Sequence, residues 1–351
     1  MRIQAFDYFR AIAILIIVAG HTYGYYWQRD ALWEQIMSNL ITGGTALFVF
    51  ISGFFFHYVF YKRFDYADFL IKKTKFVFVP FLVLTVSLIV FGLLYGADFT
   101  AYQEYFYKAP STLTDYFELL IFYLFTKGYA LPFWFIPFIM LIFIASPLFL
   151  FFIKRTQLQQ SLIILITLIV SLLIHRPFDN INPVHSFFYF LPVYLIGIYV
   201  SQYRERVMER LQGKVMILLA IVLLLAVFQA VFLNNVGNFM KADPFEYAGI
   251  DVILLQKIFL SLFFVALLSR YEDRESVLLK KLADMSFAIF FLHGVVIIFL
   301  RKLSFDEFMN SILPGPAFFI INFFVVLSIT IAAAYAVKFV FKARSRYIIG
   351  W

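Results

Sequence analysis

Two polar side chains, Arg10 and His21, bracket the apolar run AIAILIIVAG near the N-terminus. Eleven residues along an α-helix correspond to about 1,100° of rotation, so both side chains fall within about 20° of each other on one helix face. Their positions along the helix axis differ by roughly 16 Å. If Arg10 lies at the inner boundary of a membrane, His21 is expected near the middle of a hydrocarbon core about 30 Å thick. Asp7 stands three residues before Arg10 and is predicted to support it by pairing with it.

A histidine within an apolar helix has three possible uses. An ionisable residue at membrane depth usually faces the interior of a helix bundle or a water-filled cavity. There, a neutral imidazole could act as a general base, pack against a neighbouring backbone, or bind a metal. Neither a histidine nor a carboxylate stands three or four residues from His21, so no metal site is predicted. Arg10 could alternatively be a boundary residue whose side chain extends to the lipid headgroups.

The composition indicates that helices crossing a membrane hold these residues in place. Of 351 residues, 63% are hydrophobic, 49 are Phe and only 14% are charged, and apolar runs of membrane-spanning length recur along the chain. We therefore predict an all-α fold, a polytopic transmembrane helical bundle that forms a single domain over 1–351. Residues 111–126 are apolar but short, so a half-helix or a surface helix is expected there. The ten predicted spans run near residues 8–27, 41–61, 74–96, 131–152, 161–175, 187–203, 214–233, 252–269, 284–300 and 316–338.

The distribution of basic residues predicts the orientation of the bundle. With ten spans, twenty of the 29 Lys and Arg residues lie on the side of the two termini. Eight, among them Arg176, Lys257 and Arg301, lie on the opposite side. By the positive-inside rule, we expect both termini in the cytoplasm and a multi-pass protein of the cell membrane. Because topology explains the net charge of +8, a nucleic-acid partner is not expected. The chain has no cysteine, which excludes disulfides and a cysteine nucleophile.

Four sequence patterns, in the same order along the chain, resemble the acyltransferase-3 family of membrane acyltransferases. The first is Arg10, preceded by an aspartate at three residues, and His21 after ten intervening residues. The second is FVFISGFFF (48–56), which is similar to the Ser-Gly-Phe segment of that family's second helix. LPFWFIPFI (131–139) resembles its Trp-Phe segment, and SFAIFFLHGVV (286–296) resembles its late Ser…Leu-x-His segment. The resemblance therefore extends along the chain and includes the number of ten helices.

The resemblance implies an activity and its participants. Members of that family move an acyl group, usually acetyl, from cytoplasmic acyl-coenzyme A to a hydroxyl across the membrane. By resemblance, His21 is the catalytic general base, with a transient acyl-histidine as the alternative. Arg10 is the second catalytic residue and positions the donor or the histidine. The expected donor is acetyl-CoA, with succinyl-CoA as the alternative. The expected acceptor is a surface polysaccharide or exopolysaccharide, or its lipid-linked precursor, and a glycan synthase complex is an expected partner beside the lipid bilayer.

The predicted donor site combines Arg10 with residues of two other segments. The family commonly has Arg-x-x-Arg at the start of the third span, whereas this chain has Lys72, Lys73 and Lys75. Lysines keep the attraction for coenzyme A phosphates but lose the bidentate geometry of arginine. Ordinary positive-inside charge is the alternative reason for them. Trp134 completes the donor site, although a tryptophan at the start of a span is also typical of the membrane interface.

The predicted acceptor site consists of Ser286, His293 and Glu118. Seven residues separate Ser286 from His293, so two helical turns place both on one face, and a packing role is the alternative for the histidine. Glu118 belongs to the short apolar segment. The three remaining histidines are predicted to lie at the surface; they are His57, His175 and His185.

An exporter or flippase of a polysaccharide or lipid-linked glycan is the alternative function. Transporters commonly show internal repeats, and helices broken by Gly or Pro at matching positions of two halves. No clear repeat is visible in this chain, and its polar residues concentrate in the first helix and near the edges of spans. The sequence therefore favours an enzyme.

Overall fold

The computed structural model describes residues 3–23, 31–94, 102–103, 106–125 and 132–351. Most of these residues are helical, as expected because a backbone in lipid must satisfy its hydrogen bonds within the segment. The predicted all-α bundle is thus confirmed. The helices are α1 (Gln4–Thr22), α2 (Leu32–Ile41), α3 (Thr45–Phe55), α4 (Tyr66–Lys73), α5 (Val79–Leu94), α6 (Leu113–Phe125), α7 (Phe135–Ile144), α8 (Ser146–Ile153), α9 (Gln157–Ile174), α10 (Pro183–Gln202), α11 (Arg204–Leu211), α12 (Val215–Val231), α13 (Val252–Leu268), α14 (Val277–Lys302), α15 (Phe305–Ile312), α16 (Gly315–Phe341) and α17 (Arg346–Ile349).

Short elements join several of these helices. One π-helix, Phe56–Phe60, continues α3, and another, Thr74–Phe78, joins α4 to α5. Two strands of two residues each, β1 (Arg176–Pro177) and β2 (Met240–Lys241), pair in parallel. This pair ties the loop after α9 to the loop after α12. Single 3₁₀ turns occupy Tyr61–Arg63, Phe178–Asn180, Ser269–Tyr271 and Lys342–Ser345.

Within the described ranges, eight helical segments are long and apolar enough to cross a membrane, or ten if each of two bent pairs is one span. Helices α7 and α8 meet at 54°, and α11 and α12 meet at 80°. Proline near the start of α8 explains the first bend, because proline is favoured in the first turn of a helix but lacks the amide that would bond back to the preceding helix. Gly213 lies in the second bend with a φ of +76°. The chain is therefore a multi-pass membrane protein whose segments follow the order of the predicted spans.

The start of α1 is anchored to the loop before α14. The Glu272 carboxylate accepts hydrogen bonds from the backbone amides of Gln4 and Ala5, both at 3.1 Å. These amides would otherwise lack partners, because a helix leaves its first amides unpaired. The Tyr8 hydroxyl donates to the Arg274 carbonyl oxygen at 2.6 Å. Helices α1 and α14 stay in contact farther along and run parallel, as the first and ninth of ten spans must.

Helix α1 ends earlier than the predicted first span, 8–27. The described helix begins at Gln4 and ends at Thr22, and residues 24–27 lie outside the described part of the chain. His21 therefore lies in the last turn of this helix. The expected depth of His21, near the middle of the hydrocarbon core, rests on Arg10 lying at the inner boundary and stays a prediction.

Helix α6 lies within the short apolar segment 111–126, of which residue 126 is outside the described part of the chain. Its 13 residues correspond to a length of about 20 Å, which is less than a hydrocarbon core of about 30 Å. The Lys108 ammonium donates to Asp115 at 2.5 Å and pairs with Glu118 at 3.0 Å. The hydrogen bond from Lys108 holds the pKa of the Asp115 carboxyl well below its usual range. This helix is thus stabilised by a local charge network, as a partial or surface helix can be.

Helices α3 and α10 cross with their backbones in contact. A Cβ atom at Gly53 would lie 2.1 Å from the Tyr194 carbonyl oxygen, and one at Gly197 would lie 2.2 Å from the Phe50 carbonyl oxygen. Glycine allows such an approach, which is common where membrane helices pack. The Ser-Gly-Phe segment therefore places its glycine at a helix crossing.

Replacing Gly53 by Ala should prevent this crossing from closing. The added methyl group would overlap the Tyr194 carbonyl, and overpacking of this kind costs about 1–3 kcal/mol. We expect a lower melting temperature of the purified protein in detergent. Gly20→Ala is the matched control, because the atom nearest to its new Cβ, the Ile41 carbonyl oxygen, lies at 3.6 Å. Equal melting temperatures for the two variants would contradict the role assigned to the crossing.

Candidate active site

His21 of α1 and His293 of α14 are hydrogen-bonded, although 272 positions separate them in the sequence. Nδ1 of His21 lies 2.9 Å from Nε2 of His293. The two rings stack, with centroids 5.2 Å apart and planes within 20°. His293 is fully buried, and its Nδ1 lies 2.7 Å from the carbonyl oxygen of Ile289, one turn earlier in the same helix. A continuous chain of hydrogen bonds therefore connects His21 to the backbone of α14.

The Ile289 carbonyl sets the direction of this chain. A carbonyl oxygen only accepts, so Nδ1 of His293 carries the proton and Nε2 of the neutral ring can only accept. Nδ1 of His21 must then donate to it. The same reasoning leaves Nε2 of a neutral His21 unprotonated. An available lone pair on a ring of fixed orientation is what a general base or a nucleophile requires.

His21 lines a cavity of about 390 Å³, here called the His21 cavity. Its walls come from the end of α1, the turn between α2 and α3, the start of α7, and the loops that contain β1 and β2. The side chains of Arg176, Arg301, Asn180 and Asn238 line it. Charged and amide groups therefore face a cavity of a size that holds small ligands.

A second cavity, of about 420 Å³ and here called the Arg10 cavity, lies beside the first half of α1. Asp7 and Arg10 line it, and the Arg10 guanidinium lies 3.4 Å from the Asp7 carboxylate. Lys73 also lines it, with its ammonium 4.7 Å and 4.6 Å from the ring centroids of Phe60 and Phe143. Such cation–π contacts stabilise a charge in apolar surroundings. Most of the remaining wall is aromatic or aliphatic.

A void of about 10 Å³ connects the walls of these two cavities. It shares His21 and Trp134 with the His21 cavity, and Phe48 and Phe135 with the Arg10 cavity. Along α1, Asp7 and Arg10 line the Arg10 cavity, whereas Ile17 and His21 line both the void and the His21 cavity. His21 and Trp134 thus lie at the junction between an apolar cavity and a polar one.

A comparison with protein families identifies the class of protein to which this chain belongs. A family profile described as an acyltransferase domain matches residues 3–337. The chain belongs to the acyltransferase-3 family. The match confirms the resemblance seen in the sequence, and the protein is a membrane acyltransferase. Searches of curated proteins and of solved structures returned no match.

Of the three lysines predicted for the donor site of the acyltransferase, one faces the interior of the bundle. Lys73 lines the Arg10 cavity. Lys72 and Lys75 are exposed, and Lys72 pairs with Asp68 at 2.7 Å. Successive helical residues point about 100° apart, so neighbouring lysines cannot share one face. Trp134, also predicted for the donor site, is buried at the junction of the cavities.

The three residues predicted to bind the acceptor lie in different surroundings. His293 lies behind His21, where its two ring nitrogens are occupied, so it orients His21. Ser286 is buried two turns earlier in α14. Glu118 lies within α6, is half-exposed, and accepts from Lys108 at 3.0 Å. None of these three residues lines the His21 cavity or the Arg10 cavity in the described part of the chain.

Lys257 is buried in the bundle and supports a wall of the site of the acyltransferase. The distribution of basic residues predicted it on the side opposite to the termini. Its side chain in α13 is 1% exposed, and its ammonium donates to the carbonyl oxygens of Asn39 and Leu40, both at 2.9 Å. These carbonyls belong to the last turn of α2, where helical donors are missing. The next residues, 42–44, line the His21 cavity, so Lys257 holds one of its walls. A lysine inside an apolar helix was the available sequence signal.

Two histidines predicted to lie at the surface are buried: His175 and His185. Nε2 of His185 lies 3.0 Å from the His175 carbonyl oxygen, and Nε2 of His175 lies 3.1 Å from the Gly249 carbonyl oxygen. A backbone partner on each ring lowers the cost of burial, although Nδ1 of His175 is buried without a hydrogen-bond partner among the described residues. His57 is half-buried, with Nδ1 2.9 Å from the Ser201 hydroxyl oxygen. In the described part of the chain, no three His, Cys, Asp or Glu side chains are grouped as a metal site requires.

Lys257→Met should destabilise the acyltransferase through the turn that lines the His21 cavity. Methionine keeps an apolar side chain but leaves two buried carbonyl oxygens without their donor, and each such loss costs about 1–3 kcal/mol. We expect a lower melting temperature in detergent. Lys62→Met, at an exposed lysine, is the matched control and should leave the melting temperature unchanged. If both variants melted together, the ammonium would not be what supports the turn.

Proposed function

We propose that this acyltransferase moves an acyl group, usually acetyl, from cytoplasmic acyl-CoA to a hydroxyl group on the other side of the membrane. The acceptor is a surface polysaccharide or exopolysaccharide, or its lipid-linked precursor. One observation carries the proposal: His21, with Nδ1 bonded to His293, lies at the junction of an apolar and a polar cavity. Such a position allows one imidazole to meet a donor from one side and an acceptor from the other.

The Arg10 cavity suits the donor. Acyl-CoA has a long flexible arm that ends in the thioester, and it has phosphates at the other end. Aromatic and aliphatic walls match the arm, while Arg10 and Lys73 supply positive charge beside it. Asp7 holds the Arg10 side chain within reach of the cavity. The excess of basic residues on the side of the termini supports assigning this end of α1 to the cytoplasm.

The reaction requires a proton to leave the acceptor hydroxyl as its oxygen attacks the thioester carbonyl carbon. Nε2 of His21 accepts that proton, and the resulting positive charge is shared with His293 through their hydrogen bond. The new C–O bond forms, the C–S bond breaks, and the coenzyme A thiolate leaves and takes up the proton from His21. In the alternative sequence, Nε2 attacks the thioester carbonyl carbon, the C–S bond breaks and coenzyme A leaves as the thiolate. The acceptor oxygen then attacks the acyl-histidine, the C–N bond breaks to return neutral His21, and the hydroxyl proton passes to the thiolate.

His21→Ala should abolish acyl transfer while the protein stays folded. Loss of a general base lowers kcat by about 10²–10⁴-fold. The assay measures coenzyme A release from acetyl-CoA by purified protein with an extracted envelope polysaccharide as acceptor. His57→Ala is the matched control, because His57 contacts Ser201 and lines neither cavity at the junction. Wild-type activity in the His21 variant would overturn the catalytic assignment.

The same preparation separates the enzyme from the alternative exporter. In vesicles, an acyltransferase should acylate a polysaccharide supplied on one face with acetyl-CoA supplied on the other. An exporter would instead move labelled glycan across the membrane without acyl-CoA and would be inert towards acetyl-CoA in detergent. The latter result would replace the proposed function.

His293→Leu should slow the reaction by misorienting His21. Leucine cannot accept the hydrogen bond from Nδ1, so the ring loses both its tautomer and its orientation, at a cost of about tenfold in kcat for one hydrogen bond. His293→Gln, whose amide oxygen can accept, should retain more activity. The KM for acetyl-CoA should change little in either variant. Identical kcat values for the leucine and glutamine variants would contradict an orienting hydrogen bond.

A further inference from the structure

The His21 cavity is lined by more guanidinium groups than carboxylates. Arg176 and Arg301 line it, together with one carboxylate, that of Asp179. Arg301 is paired with Asp306, whose carboxylate oxygen lies 3.6 Å from the Arg301 Nε. Both arginines are near enough to His21 to interact with it electrostatically. Charge of this kind beside the acceptor hydroxyl points to a charged acceptor.

Arg176 is rigidly held, but not by an acidic side chain. It is 6% exposed, its Nε donates to Asn180 Oδ1 at 2.6 Å, and its guanidinium lies 4.8 Å from the centroid of the Trp134 ring. Among the described residues, no carboxylate lies within ion-pair distance of Arg176, and no acceptor contacts its two terminal nitrogens. The buried Asp251 carboxylate, which accepts from the Tyr189 hydroxyl at 2.7 Å, interacts with Arg176 electrostatically beyond ion-pair distance. The terminal nitrogens of Arg176 therefore keep unused hydrogen-bonding capacity.

The neighbouring residues fix the position of the Arg176 guanidinium in the cavity. Arg176 belongs to β1, which pairs with β2, and Asn180 follows in the adjacent 3₁₀ turn. Trp134, on whose ring the guanidinium lies, is also a wall of the void between the cavities. An anion held by Arg176 would therefore lie close to the junction where His21 acts.

We propose that Arg176 binds an anionic group of the acceptor, a carboxylate or a phosphate, so that the acyltransferase acts on acidic sugars or sugar phosphates. This inference rests on the proposed function, in which the His21 cavity holds the acceptor. The planar guanidinium presents paired donors that match the two oxygens of a carboxylate or phosphate. With Nε bonded to Asn180, the two terminal nitrogens supply those donors.

Asn238 offers a complementary group for a sugar hydroxyl. It lines the same cavity, and its Oδ1 is buried without a hydrogen-bond partner in the part of the chain that the structure describes. The preceding residue is fixed, because the Gly237 amide donates to Asn39 Oδ1 at 2.7 Å. An acceptor that carries both hydroxyls and one anionic group would satisfy Arg176 and Asn238 together.

The test compares three sugars that share one ring: methyl glucoside, methyl glucuronide and glucose 1-phosphate. Their affinities are measured calorimetrically for the full chain in detergent. We expect at least one anionic sugar to bind about tenfold or more tightly than the glucoside, the factor for one charge-assisted hydrogen-bonded pair. Arg176→Gln should reduce that ratio towards one, and Arg176→Lys should retain part of it. The matched control is Arg206→Gln, at an arginine that bonds to Gln157 and does not line the His21 cavity.

Each outcome bears on the inference. A preference for the glucuronide identifies a carboxylate, and a preference for the phosphate identifies a phosphate. Equal affinities for all three sugars, no binding of any of them, or a preference unchanged in Arg176→Gln would overturn the proposal. Affinity for acetyl-CoA is measured in the same samples and should not change in Arg176→Gln. A wild-type protein that does not bind acetyl-CoA would count against the proposed function instead. Failure of this inference and failure of the proposed function are therefore distinguishable.

Discussion

The hydrogen bond between His293 and the Ile289 carbonyl oxygen is the constraint on which the site depends. Because its acceptor is part of the α14 backbone, this bond places the proton on Nδ1 of His293 whatever ligand is present. Nε2 of His293 then accepts from His21, and the reactive nitrogen of His21 is determined two bonds away from the backbone. The Glu272 cap on α1 serves the same end, since it aligns α1 beside α14.

Irregular backbone in this bundle occurs where it forms the walls of a cavity. The turn 42–44 breaks the helical run between α2 and α3, and the β1–β2 pair and its neighbouring loops form the opposite wall. A break within a membrane protein leaves backbone groups that must find partners. The Lys257 ammonium is the hydrogen-bond partner of two carbonyl oxygens at the end of α2. The Asn39 side chain is the partner of a backbone amide in the loop before β2. The polar residues that shape the His21 cavity therefore also stabilise it.

The two cavities differ in the chemistry of their walls, so His21 has an apolar cavity on one side and a polar cavity on the other. Aromatic walls with Arg10 and Lys73 surround one, while arginine and asparagine side chains surround the other. His21 and Trp134 contact both through the small void between them. Close packing at Gly53 permits α3, which carries Phe48, to approach α10. A single imidazole can thus face two kinds of molecule from two chemically different cavities.

The sequence by itself determined the helical class, the order of the spans and the family. It also determined that Arg10 and His21 lie on one face of α1. These properties follow from hydropathy and from helical periodicity, which are local. Only the tertiary structure decided that His293 orients His21, that Lys73 faces a cavity while Lys72 and Lys75 do not, and that Arg176 and Lys257 belong to the site. An apolar helix has no polar face to reveal its inward side, so its partners are set by packing between segments far apart in the chain.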